Sequence, residues 1–322
     1  MAYDLDNCLV VGIASSALFD LKESDEVFRR DGEEAYRRYQ EENLNNFLAP
    51  GIAFPFIKRL LSLNDLCDAG EHPLVEVIIL SRNDPDTGLR VMRSVKHHEL
   101  AITRAIFMQG KSPYKFMPAF HMSLFLSADE RDVKAATRRG FQAGQVLPSQ
   151  YVDDEDRDLR IAFDFDGVLA GDDSERVMQS GGLEAFYAYE RANAGIPHSP
   201  GPLQDFLRQV NQIQRREEAK KAADEKYRVR LHVSIVTARN APAHERAVDS
   251  LKTWGVTVND AFFLGGVDKG KVVEILKPHI FFDDQPTHLL STSRAAPSVH
   301  IPFGVVNDET GAAIALTEPP EV

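Results

Sequence analysis

The chain repeats itself, and that repeat restricts what it can fold into more than any other feature. Setting residues 14–63 against residues 164–213 without a gap gives identities at Ser24/Ser174, Val27/Val177, Gly32/Gly182, Glu34/Glu184, Ala35/Ala185, Tyr39/Tyr189, Asn43/Asn193, Pro50/Pro200, Gly51/Gly201 and Phe56/Phe206. Ten identities over fifty positions is roughly three times what average composition gives by chance. A displacement of 157 then pairs Arg82-Asn83 and Pro85 with Arg239-Asn240 and Pro242. A displacement of 156 pairs Ser94, Lys96, Ala105, Phe107, Gly110, Lys115 and Phe125 with Ser250, Lys252, Ala261, Phe263, Gly266, Lys271 and Phe281. Blocks that keep their order while their spacing drifts by a few residues are what changing loop lengths in a duplicated unit would leave.

Each half carries the same pattern of elements. Val10–Ile13 and Ile161–Phe163 are short apolar runs. Residues 22–48 and 173–195 are charged and rich in Ala, Tyr and Phe, with no β-branched run, which predicts helix. Val75–Leu80 and Leu231–Val236 predict β-branched strands, followed by amphipathic helices at Leu89–His98 and Ala243–Trp254. Ala105–Met108 and Ala261–Leu264 predict third strands, and Leu124–Leu126 and Ile280–Phe282 fourth strands. Strands that alternate with helices imply an α/β fold with doubly wound parallel sheets, whose ligands sit at the carboxyl ends of the strands. Pro148 and the run Asp153-Asp154-Glu155-Asp156 mark a linker, so the expected domains are residues 1–150 and 151–322. The Pro/Glu-rich tail, residues 317–322, predicts a frayed end.

Composition removes several functions. A net charge of −12 over 322 residues argues against nonspecific binding to nucleic acid or an anionic membrane. Cys8 and Cys67 give neither a disulfide framework nor metal spacing, which suits a reducing compartment. The N-terminus lacks a basic region followed by a long apolar stretch, and no apolar run is long enough for a membrane helix. The expectation is a cytoplasmic protein.

The segment Arg160-Ile-Ala-Phe-Asp-Phe-Asp-Gly-Val-Leu169 carries the chemistry. Residues i and i+2 of an extended chain point the same way, so Asp164 and Asp166 can approach one reacting centre. Like charges that close resist joint ionisation unless a cation offsets them. The pair suits phosphoryl transfer, in which one aspartate attacks phosphorus, the other handles the proton, and Mg²⁺ balances the charge. Thr237, Lys269 and Asp283-Asp284 follow the next strands in order. Alone, an Asp-x-Asp is mostly surface, a strand-end Thr is a β-former, and Asp283-Asp284 could cap a helix. The conjunction of four such positions, each at a strand's carboxyl end, favours catalysis.

That set resembles the four motifs of haloacid-dehalogenase-like phosphatases. The stretches Val75-Glu-Val-Ile-Ile-Leu-Ser-Arg-Asn-Asp-Pro-Asp-Thr-Gly88, Ser112-Pro-Tyr114, Leu124-Phe-Leu-Ser-Ala-Asp129, Asp172-Asp-Ser-Glu-Arg176 and Phe281-Phe-Asp-Asp-Gln285 are similar to the cytosolic type I 5′-nucleotidase family, over about Asn7 to Phe303. The resemblance implies two tandem halves of the dehalogenase-like fold, Mg²⁺-dependent hydrolysis of nucleoside 5′-monophosphates, notably AMP, and ADP as an activator. It implies Asp164 as nucleophile, Asp166 as acid and base, Thr237 and Lys269 on the phosphate, and Asp283 or Asp284, with Asp283 favoured, completing a Mg²⁺ shell that includes Asp164 and Asp166. Animal members carry Asp-Gly-Asp-Ala where this chain has Asp164-Phe-Asp-Gly; both aspartates survive the change.

Applied to the site, the repeat sets Ala14 opposite Asp164, Ser16 opposite Asp166, Leu80 opposite Thr237, Pro113 (or, with a local gap, Lys111) opposite Lys269, and Ser127-Ala128 opposite Asp283-Asp284. The first half is then a catalytically dead copy kept for packing, self-association or ligand binding. Arg82, Asn83, Asp86 and Lys111 could bind a phosphate-bearing effector such as ADP, or join the halves. Arg239 and Asn240 could meet substrate phosphate, with Arg239 bracing its loop as the alternative. The helical insertion Gly171–Lys226 could cap the active site, and Phe186, Tyr187 and Tyr189 could stack on a base or pack a core. The ten histidines show no metal-ligand spacing. Competing functions are the same chemistry on another phosphomonoester, phosphotransfer to a nucleoside, and a noncatalytic adenine-nucleotide sensor.

Overall fold

The computed structural model describes residue 5 and residues 7–307, so the Pro/Glu tail lies outside the described residues. The chain forms two compact units. One comprises the chain up to Leu159 together with Gln209–Leu231; the other comprises Arg160–Arg208 and the chain from His232 onward.

The first repeat runs β1 (Leu9–Ile13), α1 (Ser15–Leu18), α2 (Lys22–Glu42), α3 (Phe54–Ser62), β2 (Val75–Ser81), α4 (Pro85–His97), β3 (Arg104–Phe107), β4 (Leu124–Ser127), α5 (Glu130–Thr137) and β5 (Ala143–Val146). The second runs β6 (Leu159–Phe163), α6 (Asp173–Ala192), α7 (Gln204–Ala223), β7 (Leu231–Thr237), α8 (His244–Trp254), β8 (Asp260–Phe263), α9 (Lys269–Leu276), β9 (Ile280–Asp283), α10 (Pro286–Ala295) and β10 (Ser298–His300). Strands are ordered β3-β2-β1-β4-β5 in the first repeat and β8-β7-β6-β9-β10 in the second, which is one order used twice. Within each repeat the registered pairs, such as Ile13 with Ile79 and Phe163 with Phe282, run parallel. A parallel pair needs a crossover, and the intervening helices supply it. Those helices cover both sheet faces, which is why β1 and β2 are buried at every residue. The core beside the sheet is Val10, Ile78, Leu80 and Phe125 in one repeat and Ala162, Val236 and Phe281 in the other.

Strands β5 (Ala143–Val146) and β10 (Ser298–His300) escape the sequence pattern because Ala-Gly-Gln-Val and Ser-Val-His contain no apolar run. The two long helices break at matching glycines, Gly32 (φ 80, ψ −175) and Gly182 (φ 70, ψ −171). Such backbone is open almost only to glycine.

Hydrogen bonds at the strand ends fix how the repeats correspond. Ala14 N–H donates to Leu126 O at 2.8 Å, as Asp164 N–H donates to Phe282 O at 2.8 Å. Met108 N–H donates to Ser81 O, as Leu264 N–H donates to Thr237 O. Asn83 N–H donates to Ser81 Oγ at 3.1 Å, as Arg239 N–H donates to Thr237 Oγ1 at 3.3 Å. The counterpart of Thr237 is therefore Ser81, not Leu80, and the counterpart of Arg239 is Asn83, not Arg82. The displacement stays at 156 from these strand ends into the following helices, where Gly88 N–H donates to Asp84 O as His244 N–H donates to Asn240 O, so no residue is inserted here. Matching Arg-Asn pairs drew the sequence alignment one residue early.

Candidate active site

Asp164 leaves the end of β6 and is 3% exposed. Its Oδ1 accepts the N–H of Phe165 at 2.7 Å, and its Oδ2 meets Lys269 Nζ at 2.6 Å. Lys269 opens α9, and its ammonium also donates to Asp283 Oδ2 at 2.8 Å. Burial works against the lysine's charge, but Asp164 and Asp283 outweigh it and hold the ammonium protonated above the usual lysine range. Burial pushes Asp164 upward against the pull of Lys269. Asp283, although buried, is held down by Lys269 and His288.

Adjacent residues Asp283 and Asp284 differ in what surrounds them. Both oxygens of Asp283 are engaged: Oδ2 by Lys269, Oδ1 by the N–H of Gln285 at 2.9 Å and by His288 Nδ1 at 3.3 Å. Asp284 Oδ1 is buried with no hydrogen-bond partner. Burial, then Asp164 and Asp283, raise the Asp284 pKa well above the carboxylate range. Gly167 (φ 72) turns the chain directly over this carboxylate, and a Cβ there would lie 2.3 Å from Asp284 Oδ2. An orphaned buried oxygen beside two further buried carboxylates and one lysine is an arrangement a divalent cation fits, because it supplies both the missing partner and the missing charge. Asp164, Asp283 and His288 also bring ligand atoms within 4.8 Å of one another. Lys269 already bridges those two aspartates, so the orphaned Asp284 oxygen is the better candidate ligand for a cation.

Asp166 rests on Arg239. Arg239 Nε donates to Oδ2 and Nη2 to Oδ1, both at 2.6 Å, a parallel fork of charge-assisted bonds. The guanidinium lies 5.2 Å from the Phe165 ring centre and 5.4 Å from that of Phe186. Its Nη1 donates to Glu190 Oε2 at 2.5 Å and to Ala243 O at 3.1 Å. Its Nη2 also donates to His198 Nε2 at 2.8 Å. That leaves the proton of the imidazole on Nδ1, which bonds Ser250 Oγ at 2.9 Å. Burial, with the Arg239 charge adding to it, lowers the His198 pKa and keeps the ring neutral. Glu190 Oε1 accepts from Ser174 Oγ at 2.7 Å and from Arg246 Nη1 at 3.0 Å. Burial works against its charge, but the Arg239 guanidinium and the Ser174 hydrogen bond outweigh it and hold the carboxylate well below the usual range.

The remaining candidates fall around the same strand ends. Thr237 is buried at the end of β7, and Asn240 Oδ1 accepts from Tyr187 Oη at 2.6 Å. Tyr187 thus ties α6 to the loop, Phe186 lies on Arg239, and the Tyr189 ring lies under Arg246 at 5.3 Å. In the first repeat Arg82 Nε pairs with Asp132 Oδ1 at 3.0 Å and stands 5.9 Å from the Tyr114 ring centre. Asn83 Oδ1 accepts from Tyr36 Oη at 3.4 Å, and Lys111 is exposed. Ser127 Oγ donates to Asp132 Oδ2 at 3.2 Å, where the second repeat joins Asp283 to His288.

Sequence reasoning missed Glu190, His198 and His288. The first two were visible as differences in the repeat, Glu190 against Gln40 and His198 against Leu48. His288 reaches Asp283 because α10 turns the chain back over the strand end, and no spacing rule marks that. Among the described residues no helix is long and apolar enough to cross a membrane.

Comparison with known proteins adds to this geometry. A family model described as 5′-nucleotidase matches residues 1–308. The human protein named cytosolic 5′-nucleotidase 1B is 32% identical over 297 residues, which is 89% of this chain and 48% of that protein. The chain thus spans about half the length of that curated relative. No solved structure is matched.

Proposed function

The chain belongs to the 5′-nucleotidase family, and we propose that it hydrolyses nucleoside 5′-monophosphates, AMP foremost, through an aspartyl-phosphate on Asp164. The observation that carries this reading is the buried Asp164–Lys269–Asp283 chain beside the partnerless Asp284 oxygen. A carboxylate held 2.6 Å from an ammonium has a fixed line of attack.

In the first step an Asp164 oxygen forms a bond to phosphorus as the bond to the ribose oxygen breaks. Asp166, keeping one oxygen against Arg239 and carrying on the other a proton taken from solvent, gives that proton to the leaving oxygen. In the second step Asp166 takes a proton from water, the water oxygen bonds phosphorus, and the bond to Asp164 breaks. Lys269 offsets charge on the phosphoryl oxygens and on Asp164, and Thr237 and Asn240 would donate to those oxygens. Mg²⁺ held by Asp164 and Asp284, with Asp166 alongside, would supply further charge compensation. Asp284 takes this role in preference to Asp283 because both Asp283 oxygens are already bonded.

Residues 171–208 of the helical insertion act on this reading as the cap, while the first repeat, an inactive copy of the dehalogenase-like half, serves packing or effector binding. Arg82 and Asn83 are bonded within their own repeat, so an ADP site there would draw chiefly on Lys111. A cytoplasmic location accords with the name of the human relative.

A phosphate-release screen over AMP, other nucleoside monophosphates and sugar phosphates, with and without Mg²⁺ and ADP, tests the proposal. Fast Mg²⁺-dependent turnover of nucleoside 5′-monophosphates is expected; turnover confined to sugar phosphates, or none, would overturn it.

A further inference from the structure

Around Arg239 the two repeats agree in one layer of residues and differ in another. The outer layer is common to both. Arg90 Nε donates to Asn46 O at 2.8 Å, and Arg246 Nε to Ile196 O at 2.8 Å. Ser94 Oγ accepts from Leu48 N–H and donates to Arg90 O, as Ser250 Oγ accepts from His198 N–H and donates to Arg246 O. Tyr39 lies under Arg90 as Tyr189 lies under Arg246.

The inner layer is present once. Glu190, His198, Arg239 and Asp166 correspond to Gln40, Leu48, Asn83 and Ser16. Gln40 Oε1 still bonds Arg90 Nη1 at 3.2 Å, so a neutral amide satisfies the scaffold at this position. Glu190, Arg239 and His198 are 2%, 3% and 4% exposed. Burying ions in this way is costly before their mutual attraction is counted. A set needed only for folding would occur in both repeats, since both have the same strand order and outer layer. The set is absent as a unit from the repeat that lacks Asp166.

We infer that Glu190 and His198 are positioning residues for the reaction, acting through Arg239 on the carboxylate of Asp166. Glu190 fixes one edge of the guanidinium and His198 shares Nη2, while Phe165 and Phe186 confine its plane, so the fork facing Asp166 has one orientation. Glu190 and Phe186 both belong to α6, which makes the seating of the cap helix felt at the acid/base. This inference rests on the hydrolase reading above.

The test compares single-turnover alcohol release from AMP and from p-nitrophenyl phosphate in Glu190→Gln. The ribose oxygen needs the Asp166 proton to leave; p-nitrophenolate leaves without one, although both bonds to phosphorus break against the same Asp164 oxygen. Positioning predicts release from AMP falling about tenfold or more, with release from p-nitrophenyl phosphate falling less than about threefold. An equal loss on both substrates, or no loss on either, would overturn the inference while leaving the hydrolase reading intact. Wild-type protein that turns over neither substrate would instead overturn the hydrolase reading. His198→Leu, which copies the residue at position 48, should show the same selective loss and gives a second route if Glu190→Gln fails to fold.

Discussion

The two repeats place the same scaffold around different charges. At the end of its first strand the second repeat has Asp164 against Lys269, and the first has Ala14, whose backbone N–H makes the same bond but whose side chain can do no chemistry. At the fourth strand Asp283 joins His288, where Ser127 joins Asp132. At the cap helix Glu190 joins Arg246, where Gln40 joins Arg90. Backbone hydrogen bonds, glycine breaks and apolar strands survive in both, so they belong to the fold. The ion sets Asp164–Lys269–Asp283 and Asp166–Arg239–Glu190 occur in one, so they belong to what that repeat does.

Replacing Asp164 tries this comparison hardest. Asp164→Asn is expected to lower kcat by roughly 10⁴-fold or more with the fold intact by circular dichroism; retained turnover would mean that the first repeat, or another group, carries the reaction. Removing divalent cations with a chelator should stop phosphate release, with Mg²⁺ restoring it, and activity indifferent to chelation would contradict the role given to Asp284. The matched exchange comes next in size. Glu190→Gln should cost about tenfold or more in AMP turnover, whereas Gln40→Glu at the equivalent place should change it by less than about twofold; equal effects would erase the distinction between the layers. The smallest effect should be shared. Gly32→Ala and Gly182→Ala meet open space, so each costs only its backbone conformation, about 1–3 kcal/mol. Their melting temperatures should fall together, by about 2–4 °C for each kcal/mol, and a drop at one site alone would show that the breaks are not equivalent.

Much of this was legible in the chain itself. The duplication, the first four strands of each half and the order Asp164, Asp166, Thr237, Lys269, Asp283 can be read directly, because apolar strands ending in polar residues keep a local signature. The part that stayed hidden is long-range. Neighbouring aspartates 283 and 284 look alike in sequence, and only packing shows one filled by Lys269 and His288 and the other partnerless over Gly167. Arg239 reads as a phosphate ligand, with a brace as the alternative, until its fork is seen on Asp166. Columns where the repeats agree revealed the fold. Columns where they disagree, Gln40 against Glu190 and Leu48 against His198, marked the support of the site, and they carry meaning only once the shared bonds around them are known.

Trapping the phosphorylated protein tests the central claim most directly. Acid quenching during turnover of AMP labelled at phosphorus, followed by peptide mapping, should place one acyl-phosphate on the peptide containing Asp164 and none on peptides of the first repeat. Label on a first-repeat residue, or turnover with no covalent phosphate formed at all, would contradict the account.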